Sequence, residues 1–303
     1  MSGILQRELS VAQEEKLDNL KRLWSRFTSN LLTVVGTLII LSVVFAAVFA
    51  PFLAPYPDHA EGGIGSVDTE NRFAEPSTDH LMGTDDSGRD IFSRVLYGAR
   101  VSLQMAAITL GISISVGATL GMTAALSGGL TEVVIMRTAD AFMSVPALVL
   151  AMVVAAVLEP NIYIAMVAIS CYWWTLYCRL VHGEVNAIKE EEFVEATRAL
   201  GASWPNIAIR EIAPNVATPV LVKSTIDAGF IILVAAGLGF LGLGSQPPTP
   251  DWGVMVAQGR DFALTAWWVS TLPGFAIAYT VYGFNLLGDG LRDIFDVEVD
   301  VHD

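Results

Sequence analysis

The chain has 303 residues, of which 53% are hydrophobic and 16% charged, with a mean hydropathy of +0.54 and a net charge of −14. Soluble domains carry about 25% charged residues, so this balance excludes an ordinary water-soluble globule and points to a lipid bilayer. Nucleic acid is not expected as a partner of so acidic a chain.

Residues 1–30 are polar and mildly amphipathic, with Leu5, Leu9, Leu17, Leu20, Leu23, Trp24 and Phe27 as the apolar positions. They read as a cytoplasmic lead lying along the inner membrane interface. Residues 31–50 form a charge-free run, and further apolar runs cover residues 101–126, 141–158, 161–178, 228–246 and 262–288. At about 1.5 Å of rise per residue, some 20 helical residues cross a hydrocarbon core of roughly 30 Å. The runs lack the period-two alternation of a barrel strand, so six transmembrane helices are expected. The first span occupies residues 31–54 and is a retained anchor rather than a cleaved signal. An acid-rich extracellular loop, residues 55–98, follows it. Five helices then form a core over residues 99–290, leaving a cytoplasmic tail at 291–303.

Placing the N-terminus inside puts twelve Lys and Arg on the cytoplasmic side and five outside. That obeys the positive-inside rule and leaves both termini in the cytoplasm. Ser113, Gly117 and Gly121 share a small-residue spacing that lets another helix approach closely. Pro146 and Pro273, inside the third and sixth spans, predict local kinks. The surplus of acid, nine acids against three bases in residues 55–98, is read as adaptation to a salt-rich medium.

One polar insert interrupts the alternation of spans and short loops: residues 191–215, EEFVEATRALGASWPNIAIREIAPN, within a loop at 182–215. Glu190, Glu191 and Glu192 suit a helix N-terminus. Phe193, Ala196, Thr197 and Leu200 fall on one helical face. Gly201 is placed to stop that helix, Ser203 to cap a second with Pro205 in its first turn, and Pro214 to end it. Ile207 and Ile212 supply apolar contacts. The spacing leaves open whether the hairpin packs on its own bundle or docks on something outside it.

The segment Glu195-Ala196-Thr197-Arg198-Ala199-Leu200-Gly201, followed by Ile212-Ala213-Pro214, resembles the EAA loop of binding-protein-dependent ABC importer permeases. Thr197 replaces the second alanine of that pattern and Ala213 its leucine. HLMGTDDSGRD at residues 80–90, SRVLYGAR at 93–100, FLGLG with QPPTPDWG at 240–253 and FNLLGDGLRD at 284–293 resemble C-type permeases of dipeptide and oligopeptide importers. The likeness runs from the first span to the C-terminal region.

The resemblance implies an all-α, type I ABC importer permease fold. It makes Glu195, Ala196, Thr197, Gly201, Ile212 and Pro214 the residues that couple the chain to an ATPase. It also implies a B-type permease partner, two cytoplasmic ATPase subunits that hold ATP and magnesium, and an external solute-binding protein. No cofactor is expected in this chain. The rival expectation is a free-standing secondary transporter or channel, with the insert packed on its own bundle and no ATPase partner.

Other chemistry is thin. A phosphate loop needs Gly directly before Lys, and the four lysines follow Glu15, Leu20, Ile188 and Val222. His59, His80, His182 and His302 are scattered and suggest no metal site. Cys171 and Cys178 are two turns apart in one span, too far for a disulfide. Residues 85–90 fail the spacing of a calcium loop and read instead as a capped turn, with Gly88 turning and Arg89 paired to an acid. Lys223 with Asp227, and Arg137 with Asp140, are spaced for intrahelical pairs. Asp227 is also the candidate for the translocation path, binding a peptide amino group.

Overall fold

The computed structural model describes Lys21, Ser25, residues 27–62 and residues 66–299. The amphipathic lead expected over residues 1–30 lies almost wholly outside the described residues. Among these the chain is all-helical, apart from a single bridge between Thr84 and Asp90.

Helix α1 (Leu31–Leu53) starts where the Asn30 side chain accepts hydrogen bonds from the Leu32 and Thr33 amides at 3.0 and 3.4 Å. A short helix, α2 (Pro57–Glu61), leads through the loop to α3 (Ile91–Ser127), whose N-cap Asp90 accepts from the Ser93 amide at 2.7 Å. Helix α6 (Ile162–Ile188) is the main partner of α3. A Cβ added at Gly117 would lie 2.4 Å from the Trp174 carbonyl, and one at Gly121 the same distance from that of Cys178. The small-residue spacing therefore serves intrachain packing.

The expected third span is not a kinked single helix. Helices α4 (Gly129–Met143) and α5 (Ala147–Val157) meet at 89°. Pro146 caps α5 in an extended conformation, and the residue before a proline is biased away from the helical region, so two constraints coincide at one point.

Helix α7 (Glu192–Ala199) and the single turn α8 (Trp204–Ile207) form the hairpin. A π-turn over Ala208–Ile212 then carries the chain without interruption into α9 (Ala213–Phe240). Pro214 consequently begins α9 instead of ending a hairpin helix; in a first turn its missing N–H leaves nothing unsatisfied.

Helix α10 (Trp252–Gly259) and the long α11 (Trp268–Val299) complete the chain. Pro273 lies within α11. Glycines of α11 let α1 in: Gly283 faces Ile39, and Gly290 faces Thr33.

Four helical stretches are long and apolar enough to cross a membrane, and the bent α4–α5 pair makes a fifth candidate. Helix α11 is long enough at 32 residues, but Ser270, Thr271, Asn285 and Asp289 dilute its hydropathy. One core runs through the bundle, with Met105, Ile169, Trp173, Ile231 and Leu238 among its buried members. A second, smaller core lies under the hairpin.

Candidate functional site

The hairpin is fastened and presented at once. Val194 is 1% exposed and packs with Val181, Val185, Ile207, Ile212 and Val216 in the smaller core. One face of α7 thus belongs to the bundle. The face read from sequence as apolar points away from it: Leu200 is 90% exposed and Phe193 43%. Leaving two such side chains in water forgoes about 1.5–3 kcal/mol each relative to burial.

Glu192 and Glu195 occupy the first turn of α7, where the helix dipole favours negative charge. The helix closes with the Gly201 amide donating to the Arg198 carbonyl at 2.9 Å. Gly201 sits at φ +90°, a left-handed conformation that suits glycine, and open space surrounds the place a Cβ would take. Arg198 lies 5.1 Å from the centroid of the Trp204 ring, a cation–π clasp across the turn. Thr197 bonds back to the Phe193 carbonyl at 2.8 Å.

Of the residues singled out from sequence, Glu195, Ala196 and Gly201 are exposed on one knob, Thr197 is half-buried, and Pro214 is exposed at the start of α9. Ile212 is fully buried, so its side chain anchors the hairpin to the bundle and presents nothing outward. Sequence reasoning missed Val194 and the Arg198–Trp204 clasp. The spacing of six between a cation and an aromatic across a glycine turn was the available signal.

Two polar rungs tie α4 to α6. Glu132 meets His182 Nε2 at 2.7 Å, and Asp140 pairs with Arg179 while also lying 3.6 Å from Arg137. The expected Arg137–Asp140 contact is therefore secondary to one between helices.

In α9, Lys223 Nζ donates to Asp227 Oδ1 at 3.1 Å, as the spacing predicts. Asp227 is 4% exposed, its second oxygen has no hydrogen-bond partner among the described residues, and Tyr177 of α6 lies beside it.

The loop before α3 holds a separate network. Asp85 accepts from the Ser87 and Arg89 amides and from Arg89 Nε at 2.8 Å, around a turn with Gly88 at φ +75°. The capped-turn reading is thus observed. Asp90 meets His80 Nδ1 at 2.9 Å, and its own amide donates to His59 Nδ1 at 2.9 Å. Burial pushes the His59 imidazole below its ordinary value, with Asp90 opposing that shift. Trp252 and Trp268 brace the same region, donating from their indoles to the carbonyls of Val95 and Thr84 at 3.0 and 3.1 Å. No group of His, Cys, Asp and Glu able to hold a metal occurs among the described residues.

Two family profiles match the chain. The binding-protein-dependent transport system inner membrane component covers residues 117–301. The N-terminal TM domain of oligopeptide transport permease C covers residues 19–76. The dipeptide transport system permease protein DppC of Alkalihalophilus pseudofirmus is 39% identical over 273 residues, 90% of this chain and 88% of that one. The probable D,D-dipeptide transport system permease protein DdpC of Escherichia coli K12 is 37% identical over 296 residues, 97% of each chain. The glutathione transport system permease protein GsiD of another Escherichia coli strain is 38% identical over 276 residues, 91% of this chain and 89% of that one. By fold, the chain is similar to one from the MetNI methionine ABC transporter in an inward-facing conformation. The TM-score is 0.53 at 17% identity, covering 67% of this chain and 97% of that one.

Proposed function

The chain belongs to the family of binding-protein-dependent transport system inner membrane components, and from that premise we propose that the solutes it passes are short peptides. It is an integral membrane permease subunit of an ABC importer, a transport subunit and not an enzyme. Membership implies ATPase subunits and a solute-binding protein as partners. The named solutes of the similar permeases, a dipeptide, a D,D-dipeptide and glutathione, share peptide chemistry, which supports the peptide reading.

In this reading six helices span the membrane, with α4–α5 as a broken third span and α11 as the sixth. Both termini and the hairpin face the cytoplasm. A B-type permease forms the other half of the pathway, and two ATPase subunits bind ATP with magnesium. The knob formed by Glu195, Ala196, Thr197 and Gly201 seats in an ATPase, Ile212 and Pro214 hold its base, and closure of the ATPases switches the bundle between two states. Each state is favoured only to the extent that contacts at the knob differ between them. Asp227 lies on the path, where it holds Lys223.

The observation that carries the coupling role is the exposure of Phe193 and Leu200 on a hairpin that Val194 holds rigidly to the bundle. Replacement of Gly201 tests it, because a side chain there meets open space within this chain. Gly201→Asn tolerates the left-handed backbone and keeps the ATPase bound. Gly201→Trp leaves the permease folded but reduces co-purifying ATPase at least about tenfold, a loss of roughly 1.4 kcal/mol. Retention of the ATPase by Gly201→Trp, or its absence from the wild-type complex, overturns the assignment.

A further inference from the structure

We infer that the cavity between α6, α9 and α11 is a station for zwitterions, holding a short peptide by its two charged ends. The inference rests on the peptide reading above and names the chemistry by which the permease itself grips the solute. The cavity measures about 780 Å³, and small-ligand sites span roughly 300–1,000 Å³. Glu184 enters it from α6, Lys223 from α9 and Arg292 from α11, with Leu180, Val222 and Phe295 among the apolar walls.

One charge on the cavity wall stands without a partner. Among the described residues Glu184 makes no ion pair or hydrogen bond, although two cations line the same cavity. Lys223 spends one donor on Asp227 at 3.1 Å, and an ammonium has three. Asp227, almost wholly buried, fixes that lysine in place. A carboxylate on one wall and a tethered ammonium on another leave room for a solute bearing both complementary charges.

An unblocked peptide bears them. Its α-ammonium goes to Glu184, and its α-carboxylate goes to Lys223. Both groups occur in every short peptide whatever its side chains, and the apolar walls accept varied side chains without demanding hydrogen bonds. Recognition by the termini alone gives affinity without sequence preference.

The test is equilibrium binding of alanyl-alanine to the intact transporter complex in nanodiscs, without the binding protein, set against N-acetyl-alanyl-alanine and alanyl-alanine amide. Each blocked peptide binds the wild type at least about tenfold more weakly than the free one, since every tenfold is roughly 1.4 kcal/mol. Glu184→Gln abolishes the discrimination against the acetylated peptide alone, and Lys223→Gln that against the amide alone. Should Lys223→Gln fail to assemble, because it strands Asp227, the Glu184 arm decides by itself. Equal binding of free and blocked peptides, unchanged discrimination in Glu184→Gln, or occupation of the cavity by phosphatidylethanolamine alone overturns the inference. If uptake of alanyl-alanine persists in those circumstances, the peptide reading stands without it. If the complete importer moves no peptide, the peptide reading itself has failed.

Discussion

At the scale of single residues, the two most informative groups are buried and titratable, and they lie at different places in the fold. His59 accepts the Asp90 amide through Nδ1, so that nitrogen must stay unprotonated for the start of α3 to keep its bracing. Its neighbours His80, Asp90, Asp68 and Asp85 act on it in opposing directions, and burial wins, lowering its pKa from the ordinary 6.5. A histidine lowered on folding binds fewer protons in the native state than in the unfolded one. Its contribution is therefore present above about 6.5 and is lost as the pH falls through the folded value. The melting temperature of the purified complex should fall between about pH 7 and pH 5, and His59→Gln, whose amide oxygen accepts the same bond without titrating, should flatten that fall. An undiminished acid transition in His59→Gln would place its origin away from His59. Asp227 is the second case. Asp227→Asn should leave assembly intact and lower peptide uptake by about tenfold, a barrier increase of roughly 1.4 kcal/mol. Full uptake retires its place on the path.

At the scale of elements, a modest small-residue spacing turned out to mark a close approach of backbones. Gly117 and Gly121 put α3 against the carbonyls of α6, so Gly121→Val forces a clash that costs about 1–3 kcal/mol. Gly111 on the same helix has nothing within 4 Å of its virtual Cβ, and Gly111→Ala should raise stability by up to about 1 kcal/mol through helix propensity alone. Melting curves of the two variants should move in opposite directions; movement together would show that glycine content, not contact, governs α3.

The hairpin shows where legibility ended. Periodicity drew a helix closed by Gly201 and put Phe193 and Leu200 on its apolar face, but it left open what covers that face, and it did not mark Val194, the side chain that enters the core. A period of 3.6 residues identifies an apolar face but cannot say whose surface will cover it. Pro146 was likewise readable as a disturbance, but a kink and an 89° break differ only in whether neighbouring helices hold the two halves in line. Here Glu132–His182 and Asp140–Arg179 hold α4 to α6, and α5 packs on the same helix in a different direction, burying Ala151 and Ala155. These rungs join residues far apart in the sequence, and no local pattern encodes them.

At the scale of the whole molecule, the charge of −14 is out of proportion to what any site uses. Asp85 and Asp90 are committed to buried pairs, and Asp140 and Asp227 to ion pairs with basic side chains. Asp251 is also buried, as the N-cap of α10, but much of the remaining acid among the described residues is exposed. Asp58, Glu70, Glu75 and Asp79 are exposed on the loop between α1 and α3, and Glu190, Glu191, Glu192 and Glu195 cluster at the hairpin. Like charges so placed repel one another over a Debye length of about 10 Å at 0.1 M salt, which shrinks to about 3 Å at 1 M. The folded chain should therefore gain stability as chloride salt rises across that range, the behaviour expected of a protein adapted to a saline medium. Salt also strengthens apolar association in general, so a rise in melting temperature alone would not isolate the charge effect. The combined variant Asp58→Asn, Glu70→Gln, Glu75→Gln, Asp79→Asn separates the two causes. Removing the loop's repulsion should raise stability at low salt and leave high-salt stability nearly unchanged, so the slope against salt becomes shallower. A slope identical to that of the wild type would mean the loop's acid is inert in folding and is kept for some other purpose, such as its encounter with the binding protein.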